Sequence, residues 1–274
     1  MPEACRLIVN ADDFGRSESI NEAVIRAHRE GILTTASLMV NEPACAEAVA
    51  LARAHPGLGV GLHLTLLCGK SALPPAQIPG LVNERSEFGQ NPAAVGWRYF
   101  ARQELREQLR AEIRAQFARF RATGLALDHL NGHLHLHLHP VVFDLLMAEA
   151  SELGIRHLRL TRDPFRLNLR LGRGRWFYRG SHALIFGLLS ARARRALRQR
   201  GIRHPSRVFG LLQDSQVNEE FVLRLLPRLP AGDSELYSHP SLDKFKPEFE
   251  ALVSPRVKAL VTQLNIRLIR YQDL

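Results

Sequence analysis

Strand-like and helix-like segments take turns along most of this chain, and that alternation restricts its fold more than any other feature. "RLIVNADD" (6–13) reads as a buried strand ending in two acids. Residues 17–30 read as a helix, with Ser17 or Ser19 as N-cap and Gly31 as its stop. A strand at 33–40, a helix from Pro43 to His55 and a strand "VGLHLTL" (60–66) follow. A Gly/Pro-rich connection from Cys68 to Gly96 is long enough to be a functional loop, and 98–123 reads as one long charged helix. Beyond a histidine-rich stretch come a helix after Pro140, strand-like "IRHLRL" (155–160), "SELYSH" (234–239), a helix at 254–264 and "IRLI" (266–269). Strands separated by helices need crossover connections, so the sheet is mainly parallel. There are too many β/α units for a small open sheet. The expected fold is α/β: one (β/α)-barrel domain over residues 1–274, distorted or incomplete, with a basic helical insertion at about 163–206. Such barrels carry their chemistry at the C-terminal ends of the strands.

Composition narrows the class. With 274 residues, 46% of them hydrophobic, the chain can bury one large core, and no run approaches the roughly 18–20 apolar residues that span a bilayer. "MPEACRLIVN" enters a strand directly, without a signal-type apolar region. Cys5, Cys45 and Cys68 are odd in number and form no CxxC pair, which points to reduced thiols in a cytosolic compartment.

The histidine-rich stretch is "HLNGHLHLHLHP" (129–140). Its five histidines are all odd-numbered, which in an extended segment puts them on one face. Alternate residues of a strand lie roughly 6–7 Å apart, whereas a metal–imidazole bond is about 2 Å long. One ion therefore takes at most one or two of them and draws its other ligands from elsewhere. Taken singly, each histidine reads more readily as a packed one bonding carbonyls and water; the cluster favours a metal. Asp12 and Asp13 end the first strand, His63 interrupts the third, and His239 ends "ELYSH". An Asp-Asp pair alone is commonly a cap or turn, and a lone His63 a core histidine. At the ends of barrel strands all four would meet on one rim.

These motifs carry a resemblance. "VNADDFG", "GLHLTL", "HLNGHLHLHLHP" and "LYSHP", in that order, with a closing "IRLIRYQDL", resemble the YdjC-like carbohydrate deacetylases, the family of the chitooligosaccharide deacetylases. Asn131-Gly132, where other members have Asp-Ser, resembles the hopanoid-biosynthesis-associated branch. The resemblance spans the chain outside 163–206. It implies hydrolysis of an N-acetyl group on a sugar, with an N-acetylglucosaminyl hopanoid as the substrate of that branch. It implies Asp13, His63 and His133 as ligands of one divalent ion, Asp12 as general base and His239 as general acid. His135 and His137 then line the cleft or orient its members, and His129 and His139 are structural. The ion is open between Mg2+, which the family is commonly assigned, and Zn2+, which a His2Asp set suits. An ion of this kind acidifies water and polarises the amide carbonyl. Arg159 and Arg162, just past a strand, are candidates for holding sugar hydroxyls or the carbonyl oxygen, with a surface salt bridge as the equal alternative. Two other readings compete: a glycoside hydrolase pairing Asp12 with another carboxylate, and an inert lipid-binding module.

The net charge of +10 is concentrated. From Arg162 to Arg207 there are thirteen arginines and one acid, Asp163, a local balance of +12 against −2 for the remainder. The same segment holds Trp176, Phe177, Tyr178 and a helical run that starts apolar and ends cationic, the pattern of a helix lying on an anionic membrane. The plainer alternative packs Leu184, Ile185, Leu188 and Leu189 on the barrel. Nucleic acid ranks last, because no recognition motif accompanies the charge. The expected setting is cytoplasmic, peripheral on the inner face of the membrane; a homo-oligomer is left open.

Overall fold

A computed structural model describes residues 5–172, 174–213 and 215–274. Its sheet holds β1 (Cys5–Phe14), β2 (Thr35–Leu38), β3 (Gly59–Leu64), β4 (Leu130–Gly132), β5 (Arg207–Phe209), β6 (Gly232–Ser238) and β7 (Arg267–Ile269). Every pairing is parallel, in the order β4-β3-β2-β1-β6-β5, with β7 beside the start of β1. From Leu7 to Phe14 every residue of β1 is buried, as a central parallel strand with both faces covered requires. Among the described residues, β4 and β5 are linked through isolated contacts: the bridges Leu130 to Leu158 and His157 to Arg203, and the Val208 N–H to the Arg162 carbonyl. The result is a parallel-sheet half-barrel ringed by helices, as the alternation predicts. One apolar core runs from Leu7 on β1 to Ile266 before β7.

Local chemistry sets several boundaries as expected. Ser17 caps helix Glu18–Glu30 by accepting from the Ile20 N–H. Gly31 ends it where a Cβ would lie 2.2 Å from the Leu252 carbonyl oxygen, so only glycine fits against that neighbouring helix.

Three expectations are corrected. The long helix over 98–123 is two helices, Pro92–Ala101 and Arg106–Ala122, joined by a tight turn at Gln103–Leu105. Asn91 caps the first, accepting from the Ala94 N–H, with Pro92 in the first turn; the turn then drops Leu105 into the core. The 155–160 segment is extended but forms no regular strand: its hydrogen bonds reach β4 on one side and Arg203 on the other. Most consequential, the histidines do not share a strand face. β4 ends at Gly132, and His133–Leu138 coils into a 3-10 turn with Leu134 (φ 48°) and His135 (φ 58°) left-handed. The chain must reverse here to begin helix Pro140–Ala148, and the coil presses on the strand end: a Cβ on Gly132 would lie 3.1 Å from His137.

The basic segment forms helix Phe165–Leu171 and the 24-residue helix Trp176–Gln199. The longer helix buries Arg179, Ser190, Ala193 and Leu197. Of the apolar residues that the plainer alternative packs on the barrel, Leu184, Ile185 and Leu188 are 65%, 50% and 64% exposed. Leu189 is half-buried. No helix among the described residues is long and apolar enough to cross a membrane.

Candidate metal centre and its cleft

The carboxyl ends of β1, β3 and β4 bring Asp13, His63 and His133 together. Consecutive strand residues point to opposite faces, yet Asp12 and Asp13 both serve this rim. A register shift between Ala11 and Phe14 and a left-handed Asp13 (φ 65°) re-aim the second carboxylate, as bulges beside functional sites do. Asp13 Oδ1 lies 3.0 Å from His133 Nδ1 and 3.3 Å from His63 Nε2, and the two ring nitrogens are 3.3 Å apart.

This trio fits a metal ion. Donors at about 2.0–2.2 Å from one tetrahedral ion stand roughly 3.3–3.6 Å from each other, close to the separations here. The tautomer of His63 agrees. Asn131 uses its amide nitrogen on Asp12 Oδ1 (3.1 Å) and Ser37 Oγ (2.8 Å), so its oxygen faces His63 Nδ1 at 2.7 Å and accepts that N–H. His63 Nε2 then turns a bare lone pair toward Asp13 Oδ1, which is buried and accepts no hydrogen bond. Facing lone pairs call for a cation between them. Asn131 would be the outer partner that orients the imidazole if His63 ligates an ion. Arg16 holds the other Asp13 oxygen at 2.8 Å.

Asp12 sits beside the trio in a buried charge network. Arg159 donates to Asp12 Oδ2 (2.7 Å) and Oδ1 (2.9 Å), and also to Glu235 Oε1 (2.9 and 2.7 Å). Asn10 adds a bond to Asp12 Oδ1, and the Tyr271 hydroxyl donates to Glu235 Oε2. Two carboxylates and one guanidinium are affordable in the interior only with such further donors. Burial by itself would raise the Asp12 carboxyl, but the guanidinium, with His63 and His239 behind it, holds it far below the usual carboxylate range. His239 lies on the same rim. Burial pushes its imidazole down, but Glu248, helped by Asp13 and Asp12, more than offsets that and lifts it to about 9. The buried Glu248 accepts from the His239 (2.6 Å) and Val217 (2.8 Å) N–H groups and faces His239 Nδ1 at 3.7 Å.

Asp12, His239, His135 and Tyr237 line a cleft of about 460 Å3. Its lining is largely apolar, with Ile185, Phe186 and Leu189 from helix Trp176–Gln199 and Pro92, Ala93 and Gly96 from helix Pro92–Ala101. His135 bonds the Tyr237 hydroxyl at 2.9 Å, and burial with Arg159 nearby keeps its ring neutral.

Three residues expected to meet substrate are elsewhere. Arg159 is wholly buried with its guanidinium committed to Asp12 and Glu235, so it neither reaches a sugar nor makes a surface salt bridge. The Arg162 side chain is exposed and is not among the residues lining the cleft; its carbonyl accepts from the Val208 N–H of β5. His137 is buried below the cleft and donates from Nε2 to the Arg159 carbonyl at 2.8 Å; burial pushes it down to about 3. His129 stacks on Tyr271 and bonds Ser37 and Asp128, and His139 bonds the Gly96 carbonyl. Sequence reasoning passed over Glu235 and Glu248. A charged residue inside the apolar run "SELYS" signals a buried ion pair, whereas nothing local to "KPEFEALV" marks Glu248.

A parallel-sheet half-barrel with a buried Asp-His-His trio at its strand ends defines a class: α/β-barrel proteins with a candidate metal centre on the C-terminal rim. Within it, the chain belongs to the YdjC-like protein family, whose model matches residues 6–263. It is 44% identical over 170 residues to a carbohydrate deacetylase of Geobacillus stearothermophilus, covering 61% of this chain and 64% of that protein. It is 40% identical over 159 residues to a chitooligosaccharide deacetylase of Serratia marcescens, covering 57% and 60% respectively. The chain thus spans a little under two thirds of the length of these relatives. Among solved structures, a protein of Enterococcus faecalis described as a cellobiose-phosphate cleavage protein superimposes with a TM-score of 0.75 at 25% identity, over 98% of both chains.

Proposed function

We propose that this protein is a metal-dependent carbohydrate deacetylase that hydrolyses the N-acetyl group of an amino sugar, releasing acetate and a free amine. The observation that carries the reading is the placement of Asp12 and His239 on one cleft beside Asp13, His63 and His133, with Asp13 Oδ1 buried and unpartnered. The trio would hold Mg2+ or Zn2+, which supplies acidification of water and polarisation of the amide carbonyl. Asp12, kept ionised by Arg159, accepts the proton of the attacking water. His239, kept protonated by Glu248, donates to the departing nitrogen. The deacetylase names of two relatives support the same chemistry.

The substrate is proposed to be lipid-linked, an N-acetylglucosaminyl hopanoid, with residues 163–206 holding the enzyme at an anionic membrane. The support is the Asn131-Gly132 signature together with apolar cleft walls, which suit an aliphatic aglycone better than further sugar units.

Incubation of metal-loaded protein with N-acetylglucosaminyl glycolipids, read by mass spectrometry, tests the reaction. Loss of one acetyl group that stops on chelation and returns with metal is the expected outcome. Asp12→Asn should keep the metal and lose roughly 10²–10⁴-fold in rate, because it removes a base and not a ligand. Cleavage of the glycosidic linkage with the acetamide intact would make the protein a glycoside hydrolase.

A further inference from the structure

Several of the large apolar side chains left exposed by this fold stand on the two helices that line the cleft. Gly96 and Ile185, on separate helices, both line the cleft, so each helix supplies a wall of it. Outward from Gly96 on helix Pro92–Ala101 stand Trp97 and Phe100, 70% and 57% exposed, with ring centroids 6.2 Å apart. Outward from Ile185, helix Trp176–Gln199 presents Phe177 (90%), Leu184 and Leu188. Spacings of seven, four and seven residues put Phe177, Leu184, Leu188 and the exposed Arg195 on one line of that helix. An apolar stripe of about 16 Å thus ends in arginine on the face turned away from the protein.

We propose that both walls of the cleft mouth form one surface that seats in the interface of an anionic bilayer. The mouth then opens directly onto the lipid. The inference rests on the membrane contact proposed for residues 163–206 and adds to it a second wall, helix Pro92–Ala101, that lies outside the basic segment. Charge selects the occupant. The segment from Arg162 to Arg207 has thirteen arginines and a single acid, Asp163, which is buried. Anionic headgroups complement that surface, whereas a second copy of the chain would bring two arginine-rich faces together. An apolar face sunk about 5–10 Å into the headgroup boundary places Arg195 level with lipid phosphates, where its stem can extend along the acyl region.

The chain has two tryptophans, and each of these two helices carries one, Trp97 and Trp176, both exposed. Single-tryptophan proteins, Trp176→Phe and Trp97→Phe, therefore report the walls separately. Each is mixed with vesicles of phosphatidylglycerol and phosphatidylcholine in equal parts, carrying brominated acyl chains. Quenching and a blue shift of both tryptophans, fading as salt rises, is the expected result. W97S/F100S should weaken vesicle binding about tenfold or more, from the apolar area removed, without altering hydrolysis of a short soluble N-acetylated substrate. Quenching of Trp176 with Trp97 unaffected overturns the second wall and leaves the basic segment as sole contact. Failure of both to quench at low salt removes the membrane contact altogether, and acetate release from the soluble substrate reports separately on the deacetylase reading. Self-association in the absence of lipid that W97S/F100S abolishes would assign the surface to a second copy instead.

Discussion

At the residue scale, the proposed mechanism depends on two protonation states, each fixed by a buried neighbour that lies outside the cleft lining. Arg159 and Glu248 stand behind Asp12 and His239, one holding a carboxylate charged and the other an imidazolium. The pH consequence follows from direction. His239 is raised to about 9, so it is protonated at neutral pH, and turnover that relies on it as the proposed donor should fall as pH rises through that value. Asp12 is held down, so it stays ionised and is expected to set no acid limb near neutral pH. Glu248→Gln should move the alkaline limb of kcat to lower pH while leaving metal content unchanged. An unmoved pH profile would show that Glu248 serves only the backbone N–H groups it caps. Arg159→Met faces a harsher test, since it leaves Asp12 and Glu235 as buried uncompensated charges. A loss of about 3–5 kcal/mol in denaturant unfolding is expected.

At the element scale, helix Trp176–Gln199 is held by a narrow buried face. Leu197 is wholly buried and Ala193 nearly so, while Leu188 is 64% exposed. Leu197→Ala should therefore cost about 2–5 kcal/mol, and Leu188→Ala about 0.5 kcal/mol or less; chemical unfolding of the two variants side by side checks the assignment. Equal costs would mean that the apolar stripe packs inward after all. The histidine coil shows a different rule. Strict alternation in "HLHLHLH" predicts a strand, yet the chain must turn from β4 into helix Pro140–Ala148 within a few residues. Tertiary connection overrides local pattern there. It separates His133 in the metal trio from His135 in the cleft and His137 beneath it.

At the scale of the whole molecule, the half-barrel is held unevenly. β1 pairs with β6 over seven residues and with β2 and β7 on its other side, whereas β4 and β5 are linked through isolated contacts at 157–158, 203 and 162–208. Opening should begin where the ladder is thinnest. Amide exchange is expected to be faster at Leu158 and Arg203 than at Val9 or Leu62, although all four N–H groups donate hydrogen bonds, that of Val9 to the Thr34 hydroxyl. Comparable protection at both places would mean that the irregular segment closes the barrel as firmly as a strand.

How much of this was legible in the sequence follows from the range of each interaction. Helix caps, the period of buried strands and the alternation that implies a parallel sheet are set by neighbours within a few residues, so β1, helix Glu18–Glu30, β3 and β6 stand where their residues predict. Polar residues at strand ends were legible for the same reason, and the barrel carries Asp12, Asp13, His63, His133 and His239 to one rim. The partners of those residues were not. Arg159 meets Asp12 across 147 positions and Glu235 across 76, and a buried arginine reads in one dimension like a solvated one. The outward face of the insertion helix was undecided by its composition, because an apolar stripe packs equally well on a barrel or in a lipid interface. Only the packing of Arg179, Ser190, Ala193 and Leu197 inward turned Leu184 and Leu188 to the outside.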